Sequence, residues 1–398
     1  MEFKLTPAQE NLQQMAHYLA EHRIRPVSLQ ADKDKGFTDE LLMEFQQMGI
    51  TSGMTSELSG GGQSSDRSKP SEKNMLSVIG AEEMAWGDAA LPISLPGPGL
   101  GGPPVRFTGT EEQQERFFAP FKNKEELHWG AYALTEPGAG SDVSGIRTSC
   151  VKDGSDYILN GQKCYITNGA KADWNVVFAT INTDLGRAGH RAFVVEKGTP
   201  GFSVGKIEDK MGLWASETAE LVLEDCRVPA ENLLGTEAHY EKKTGFTTAM
   251  KTFDSTRPVV AAMAVGIGRA AFERARDFAR DAYILSRPIP RYHALRELLG
   301  RTERKLQMAR LLVWRAASMA DLGLPNTKEA SMCKAFAAQV AQQATIDAIE
   351  IMGAAGNHRD AFVEKWFRDV KVYDIFEGTG QIQRIVIAKR LFKSIKRF

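Results

Sequence analysis

The sequence predicts an α+β fold in which an N-terminal helical domain precedes a β-barrel domain and a C-terminal four-helix bundle. Apolar residues recur at helical spacing in the first third of the chain and again, over longer segments, in the last third. Between them lie short β-rich runs separated by Gly and Pro turns. We therefore place the domains at residues 1–125, 126–238 and 239–398.

The N-terminal third contains three helical patterns. Thr6 is a suitable N-cap for the first, with Pro7 at the first helical position. The segment Leu91–Pro104 is rich in Pro and Gly, which disfavour a regular helix or a central strand. Two interpretations of it stay open, a surface loop and a wall of a ligand pocket. The predicted helices run from Pro7 to about Arg25, over Glu40–Met48 and over Asn74–Trp86.

The middle third contains the strands. Asp156–Thr167 holds two β-rich runs on either side of Asn160-Gly161, and this dipeptide is typical of a tight hairpin. With several more short strands in about a hundred residues, the pattern favours a small barrel or a sandwich. The further predicted strands are Trp174–Ile181, Arg191–Glu196 and Ala219–Leu223.

The last third contains four long helical patterns with short connections, which predict an antiparallel bundle. Their apolar residues keep a spacing of three and four over the whole of each segment. The patterns cover Gly245–Tyr283, Arg291–Leu322, Lys328–Met352 and Gly380–Ile395.

The composition excludes several classes of protein. The 398 residues include 50 Lys and Arg against 50 Asp and Glu, so net charge favours neither nucleic acid nor an anionic membrane. No stretch approaches the roughly 20 apolar residues of a membrane span. The first residues lack the apolar core of a signal peptide, and the 4 Cys are scattered, so we expect a cytoplasmic protein. The 7 His are also dispersed, so we expect no metal site.

One carboxylate is a candidate catalytic base. Glu377 lies between the apolar Phe376 and the flexible Gly378, just before a predicted helix that Thr379 could cap. A carboxylate in an apolar pocket has a raised pKa and can accept a proton near neutrality. The alternative is a Glu that only interacts with the dipole of the following helix.

Four segments give the chain a resemblance to a known family. They are YALTEPGAGSDVSG (132–145), DYILNGQKCYITNG (156–169), FDSTRPVVAAMAVG (253–266) and IFEGTGQIQR (375–384). In this order and spacing they resemble the acyl-CoA dehydrogenases, above all the short- and medium-chain group. The resemblance implies FAD-dependent α,β-desaturation of an acyl-CoA, in which Glu377 removes the α-proton and the flavin accepts the β-hydride. It also implies that the backbone N–H of Glu377 and a flavin hydroxyl polarise the thioester.

The resemblance assigns further site residues, and it assigns no metal. It implies that Asp254 and Arg257 contact the substrate. The alternative for these two residues is an ordinary ion pair of residues i and i+3 on a helix surface. The implied cofactor residues are Tyr132, Leu134, Thr135, Gly138, Gly140, Ser141, Tyr165, Ile166, Thr167, Glu350, Gly353, Ala354, Thr379 and Gln381. The implied substrate residues are Ser141, Phe253, Asp254, Arg257 and Gly378.

The chain departs from the family pattern at several of these positions. Tyr165 stands where Trp is usual, and Glu350 and Ala354 stand where Gln and Gly are usual. Asp281 and Ala282 occupy the place of the arginine that meets the FAD pyrophosphate, for which Arg287 or Arg291 could substitute.

Two alternatives to a standard dehydrogenase stay open, and the departures motivate the first of them. One is a partner subunit of a mixed oligomer with a weak FAD site of its own, and the other is a dehydrogenase of acyl-carrier-protein thioesters. The resemblance otherwise implies a homotetramer that passes electrons to electron-transferring flavoprotein. The acyl group is not determined, although the Leu91–Pro104 segment favours a branched or cyclic chain.

Overall fold

The computed structural model describes residues 4–52, 71–241, 245–282 and 290–392. Within these ranges the side chains at 245–253, 255, 290 and 291 are not described. The predictions for Arg287 and for the side chains of Phe253 and Arg291 therefore lie outside what the structure describes.

The N-terminal domain is helical, as predicted. Thr6 caps the first helix through a capping box with Gln9. That helix continues through a π-helical turn, Ala20–Ile24, next to Pro26, which cannot donate a backbone hydrogen bond. The helices are α1 (Pro7–Leu19), α2 (Arg25–Asp34), α3 (Asp39–Gln47), α4 (Lys73–Gly87), α5 (Leu91–Ser94), α6 (Gly102–Thr108) and α7 (Glu111–Phe118).

The Leu91–Pro104 segment is not a surface loop, so that interpretation was wrong. Leu91 and Leu95 are buried in the core, and the segment folds into short helical turns. Gly97 has φ 132°, and a Cβ there would lie 2.4 Å from the carbonyl oxygen of Ser52. Glycine is required because the backbone packs directly against neighbouring backbone.

The middle domain is one curled, seven-stranded sheet in the order β1-β4-β2-β3-β7-β6, with β5 on the other edge of β4. The pairing within residues 71–241 does not join β6 to β1, so the predicted barrel is open. The strands are β1 (Gly130–Ala133), β2 (Ser149–Asp153), β3 (Asp156–Thr167), β4 (Trp174–Thr180), β5 (His190–Glu196), β6 (Phe202–Ile207) and β7 (Thr218–Pro229).

The predicted hairpin at Asn160-Gly161 is wrong, because β3 runs through it as a single strand. The two residues form a bulge opposite β7. The Asn160 side chain accepts a hydrogen bond from the backbone N–H of Asp225 at 2.7 Å. A Cβ on Gly161 would lie 2.6 Å from Thr148 Oγ1. The Asn-Gly pair therefore serves a close contact within the sheet, and the hairpin turn lies before β3.

The C-terminal domain is built around α9, which packs against α10, α11 and α4. The last helix, α13, packs against α11, and the sequence analysis did not predict the short α12. Among the described helices, none combines the length and apolarity needed to cross a bilayer. The helices are α8 (Glu237–Glu241), α9 (Gly245–Ala282), α10 (Pro290–Asp321), α11 (Thr327–Met352), α12 (Val363–Val370) and α13 (Gly380–Leu391).

A buried ion cluster joins the three domains. Lys365 on α12 is fully buried, and its Nζ lies 3.0 Å from Asp88 Oδ2 and 2.6 Å from Asp369 Oδ2. The backbone N–H of Leu213, from the sheet domain, donates to Asp369 at 2.6 Å. Ser28 on α2 donates to Asp88. One ammonium group thus balances carboxylates that bind to all three domains.

We predict that Lys365→Met lowers the free energy of unfolding by about 3–5 kcal/mol, because two carboxylates then lose their buried counterion. Denaturant titration of the purified protein measures this loss. The matched control is Lys35→Met, which removes the surface ion pair of Lys35 with Asp209 at 3.3 Å and is expected to cost less than about 1 kcal/mol. Equal losses in the two variants would contradict the assignment.

Candidate active site

Glu377 lies in a left-handed backbone turn between a 3-10 segment, Lys371–Asp374, and α13. Its φ is 56°, and that of Gly378 is 93°. The Glu377 side chain is half-buried, and Thr256 Oγ1 donates a 2.7 Å hydrogen bond to its Oε2 atom. A non-glycine residue in this backbone region is strained, so the surrounding structure must hold it in place.

Donors from three helices hold the carbonyl groups of this turn. Gln383 Nε2, on α13, donates to the carbonyl oxygens of Glu377 at 3.1 Å and Gly378 at 2.9 Å. Lys334 Nζ, on α11, donates to the Gly378 oxygen at 2.7 Å. Arg257 Nε, on α9, donates to the Glu377 oxygen at 3.5 Å. The turn is therefore fixed to the bundle at several points.

The electrostatics of Glu377 match those of a general base. Burial raises the pKa of the Glu377 carboxyl above its ordinary value, while the Thr256 hydrogen bond and the charges of Arg257 and Lys334 oppose the rise. Thr379, not Glu377, caps α13, through a 3.3 Å bond from the Ile382 N–H. The carboxylate is bound to α9 instead, which argues against a role limited to the dipole of α13.

Tyr132 brings the sheet domain to this carboxylate. Burial and the charge of Glu377 both raise the pKa of the Tyr132 phenol, so the hydroxyl is neutral at physiological pH. The Tyr132 ring is half-buried and lies 5.1 Å from the ring of Phe178 on β4. The start of the 132–145 segment therefore lies within electrostatic range of the candidate base.

A second buried ion pair holds the rest of that segment on β3. Lys163 Nζ donates to Glu136 Oε1 at 2.7 Å and to the Leu134 oxygen at 3.2 Å. The Glu136 carboxylate accepts the backbone N–H groups of Arg147 at 2.6 Å and Thr148 at 2.9 Å. Burial lowers the pKa of Lys163 to about 8. The sequence analysis did not identify this pair, although both residues lie in the quoted motifs.

The segment held in this way has the form of an open cradle. Apart from the adjacent residues of the chain, no atom of the described structure lies within 4 Å of a Cβ built on Gly138 or Gly140. Ser141 is exposed and Thr135 is half-buried, so their hydroxyl groups can reach a ligand. Close approach of backbone and hydroxyl donors is what the polar edge of a flavin requires.

The bulged part of β3 adds an aromatic group to the cradle. Tyr165 has φ 59° and is 66% exposed, although Ile166 beside it is buried. The N–H of Cys164 donates to the Thr135 oxygen at 3.0 Å, which joins the bulge to the cradle. Thr167, half-buried, ends the strand. An exposed ring beside hydroxyl groups fits a flat isoalloxazine, and Tyr can stack as Trp does.

The predicted cofactor residues at the end of α11 lie far from the base within one chain. Lys334, which contacts the Gly378 turn, and Glu350 are 16 residues apart on α11, or about 24 Å along the helix axis. Glu350, Gly353 and Ala354 are exposed, as is Gln381 on α13. The structure therefore places the end of α11 far from the candidate base of its own chain, whereas Gln381 lies in the first turn of α13, close to it in sequence.

Asp254 and Arg257 form the expected i and i+3 ion pair, with 3.4 Å between Arg257 Nη1 and Asp254 Oδ1. The pair is not on a surface, because the Arg257 side chain is buried. Thr327 Oγ1 also donates to Asp254 Oδ2 at 2.6 Å. The alternative of a simple surface pair is therefore wrong.

The sequence analysis missed three residues of this cluster, namely Thr256, Lys334 and Gln383. Thr256 and Gln383 lie inside the quoted segments 253–266 and 375–384, so their motifs could have suggested them. Lys334 lies in a helical pattern with no local signal, and only the packing of α11 brings it to the turn.

Comparison with known sequences identifies the family. The profiles of the acyl-CoA dehydrogenase N-terminal, middle and C-terminal domains match residues 6–125, 131–226 and 243–392. The chain therefore belongs to the acyl-CoA dehydrogenase family of flavin-dependent oxidoreductases and has the fold of that family.

Three similar proteins match most of the length of the chain. The chain is 42% identical to cyclohexane-1-carbonyl-CoA dehydrogenase of Syntrophus aciditrophicus (strain SB), over 79% of this chain and 80% of the relative. It is 36% identical to the solved butyryl-CoA dehydrogenase of Megasphaera elsdenii, with TM-score 0.86 over 98% and 100% of the two chains. A chain in the solved structure of the electron-transferring flavoprotein of Acidaminococcus fermentans gives 37% identity and TM-score 0.86, over 99% and 100%.

We predict that Thr256→Val raises the pKa of Glu377 further, by about one unit, because a hydrogen bond to the ionised carboxylate is lost. The pH titration of the carboxyl C=O stretch in infrared difference spectra measures this, with Glu377→Gln used to identify the band. Thr256→Ser, which keeps the hydroxyl, is the control and should titrate as wild type does. A pKa that is equal in the Val and Ser variants would contradict the role of the hydroxyl.

Proposed function

We propose that this protein is an FAD-dependent acyl-CoA dehydrogenase in which Glu377 is the base that removes the α-proton of the thioester. One observation carries the proposal: the Glu377 carboxylate, with its raised pKa, is fixed by Thr256 beside Tyr132, where the cradle of the sheet domain begins. When bound, FAD supplies the hydride acceptor for the β-carbon.

The chain's own residues would prepare the proton transfer. The Glu377 carboxylate accepts the α-proton. The Thr256 hydroxyl, which donates a hydrogen bond to Oε2, fixes the orientation of the carboxylate. The raised pKa increases the basicity of the carboxylate toward a weakly acidic C–H. Donors on the carbonyl oxygens of Glu377 and Gly378 hold the backbone, and we assign the N–H of Glu377 to the thioester oxygen.

The cradle residues suit the flavin, and a different set suits coenzyme A. From the chain's own cradle, the flavin ligands would be Tyr132, Leu134, Thr135, Gly138, Gly140, Ser141, Tyr165, Ile166 and Thr167. For the thioester and coenzyme A we retain Ser141, Phe253, Asp254, Arg257 and Gly378. Two contacts support the assignment of the buried Arg257 to this set: its hydrogen bond to the Glu377 carbonyl oxygen and its ion pair with Asp254.

A second copy of this chain would complete the cofactor site, within a homotetramer. Three large apolar side chains on or beside α13 are exposed to solvent: Ile385 by 48%, Leu391 by 59% and Phe392 by 51%. Such an apolar face is typical of a protein–protein interface. The exposed end of α11 lies about 24 Å along the helix axis from Lys334, which contacts the Gly378 turn of its own chain, and this separation favours a different flavin. We therefore assign Glu350, Gly353 and Ala354 to the FAD of a neighbouring subunit, and Thr379 and Gln381 to the FAD of their own or a neighbouring subunit.

The relatives support a proposal for the acyl group and the electron acceptor. Similarity to dehydrogenases of butyryl-CoA and of cyclohexane-1-carbonyl-CoA supports a short or cyclic acyl chain. Similarity to a chain solved with an electron-transferring flavoprotein supports that class of acceptor. All four cysteines are buried free thiols, which supports a reducing compartment such as the cytoplasm.

The first test is the absorbance spectrum of the purified protein and its bleaching by butyryl-CoA and by cyclohexane-1-carbonyl-CoA under anaerobic conditions. We expect a bound flavin that one of the two substrates reduces. Acyl-carrier-protein thioesters provide the comparison, and bleaching by these alone would support the carrier-protein alternative. A protein that takes up no FAD until a second chain is added would support the mixed-oligomer alternative.

In the same assay, Glu377→Gln should keep its flavin and bind acyl-CoA but lose reduction by a factor on the order of 10²–10⁴, because the amide cannot accept the α-proton. Glu115→Gln is the control, since this exposed residue on α7 belongs to none of the residues assigned to the site. Activity of Glu377→Gln within a few-fold of wild type would refute the assignment of the base.

The proposed oligomer predicts that Ile385→Asp weakens subunit association and flavin retention together, because a charge on the apolar face of α13 opposes its burial. Sedimentation velocity and the ratio of flavin to protein absorbance measure the two effects. Val151→Asp, at a 62% exposed apolar position on β2, is the control. A monomeric Ile385→Asp protein that retains all its flavin would contradict the shared cofactor site.

A further inference from the structure

Lys334 is a buried charge that the proposed function uses only as one of several donors to the turn. It lies on α11 and is fully buried, and its Nζ donates to the carbonyl oxygen of Gly378 at 2.7 Å. A buried ammonium group is costly, so its surroundings must compensate for the lost hydration. The acidic groups that face it are Asp374 and Glu377, and Arg257 faces it with the same sign of charge.

We propose that Lys334 is a positioning residue for the catalytic base: it holds the Glu377–Gly378 turn through the Gly378 carbonyl and keeps the Glu377 carboxylate ionised. The inference rests on the proposed role of Glu377 and deepens it.

The geometric part of the argument concerns the strained turn. The positive φ of Glu377 is strained for a residue with a Cβ, so contacts from outside the turn must stabilise it, whereas Gly378 adopts its positive φ without strain. Gln383 belongs to α13, which directly follows the turn, and the contact from Arg257 is long, at 3.5 Å. The bond from Lys334 is short and charge-assisted, and it fixes the turn relative to the separate helix α11.

The electrostatic part concerns the charge of the base. The groups that face Glu377 are Tyr132 from β1, Thr256 and Arg257 from α9, and Lys334 from α11. The positive charges of Arg257 and Lys334 both lower the pKa of Glu377 against the effect of burial. Asp254 lies 3.4 Å from Arg257 and offsets part of its charge. Loss of the Lys334 charge would therefore raise the pKa of Glu377.

Two substitutions separate the geometric role of Lys334 from its electrostatic role. Lys334→Met removes both the donor and the charge, whereas Lys334→Gln removes the charge and keeps a donor. Lys328→Gln is the matched control, because this lysine lies on the same helix and pairs with Glu329 at 3.2 Å near the surface. Each holoenzyme is mixed with butyryl-CoA or cyclohexane-1-carbonyl-CoA in a stopped-flow instrument from pH 5 to 9, and flavin reduction is followed.

For Lys334→Met we expect the limiting rate of reduction to fall roughly 10-fold to 100-fold with little change in acyl-CoA affinity, because the base is misplaced. The acidic limb of the rate profile should move up by about one pH unit, because protonated Glu377 cannot act as the base. Lys334→Gln should recover most of the rate at high pH and keep the displaced limb. Lys328→Gln should match wild type.

Infrared titration of the Glu377 carboxyl gives a second readout that needs no substrate. A Lys334→Met enzyme with wild-type rate, acidic limb and infrared pKa would overturn the inference. If Lys334→Met fails to fold, an unchanged infrared pKa and acidic limb in Lys334→Gln would do the same. If no acyl thioester bleaches the flavin of the wild-type protein, the proposed function is refuted instead. The infrared titration of Glu377 then still tests whether Lys334 keeps that carboxylate ionised.

Discussion

The buried salt bridge of Lys365 with Asp88 and Asp369 is the interaction on which the rest of the arrangement depends. It joins the helical, sheet and bundle domains at the start of the segment that leads to the candidate base. A few residues further along this segment, the Tyr373 hydroxyl donates to the backbone oxygen of Ala89 at 3.1 Å. The same part of the N-terminal domain thus holds the segment at two successive points before it reaches the base.

The candidate active site is assembled from two parts, and each part comes from a different domain. The bundle supplies Glu377 in its left-handed turn, and the sheet supplies a cradle held by the buried pair of Lys163 and Glu136. Tyr132, at the start of the cradle segment, lies near enough to the candidate base for the charge of Glu377 to raise the pKa of its phenol. Both parts use buried charges whose net contribution to stability is small, because desolvation offsets the Coulomb attraction. Their value lies in position, since each charge has fixed hydrogen-bond partners.

Much of this could be predicted from the sequence, and the errors have physical causes. The helices and the sheet domain follow from apolar periodicity, and Glu377 follows from its motif. Asn160-Gly161 was wrongly predicted as a hairpin turn because a bulge uses the same backbone freedom that a turn needs. The Leu91–Pro104 segment was compatible with a surface loop because Gly and Pro also mark places where backbone packs on backbone, as at Gly97.

The sequence by itself determined the family, the order of the three domains and the identity of the candidate base, because these depend on local periodicity and on motifs that are contiguous in the chain. Only the tertiary structure showed that Thr256, Lys334 and Gln383 meet at one turn. They come from separate helices, and no local pattern encodes which faces of those helices will pack together. Burial likewise appears only in the fold, so the direction of the pKa shift at Glu377 is a property of the packed protein.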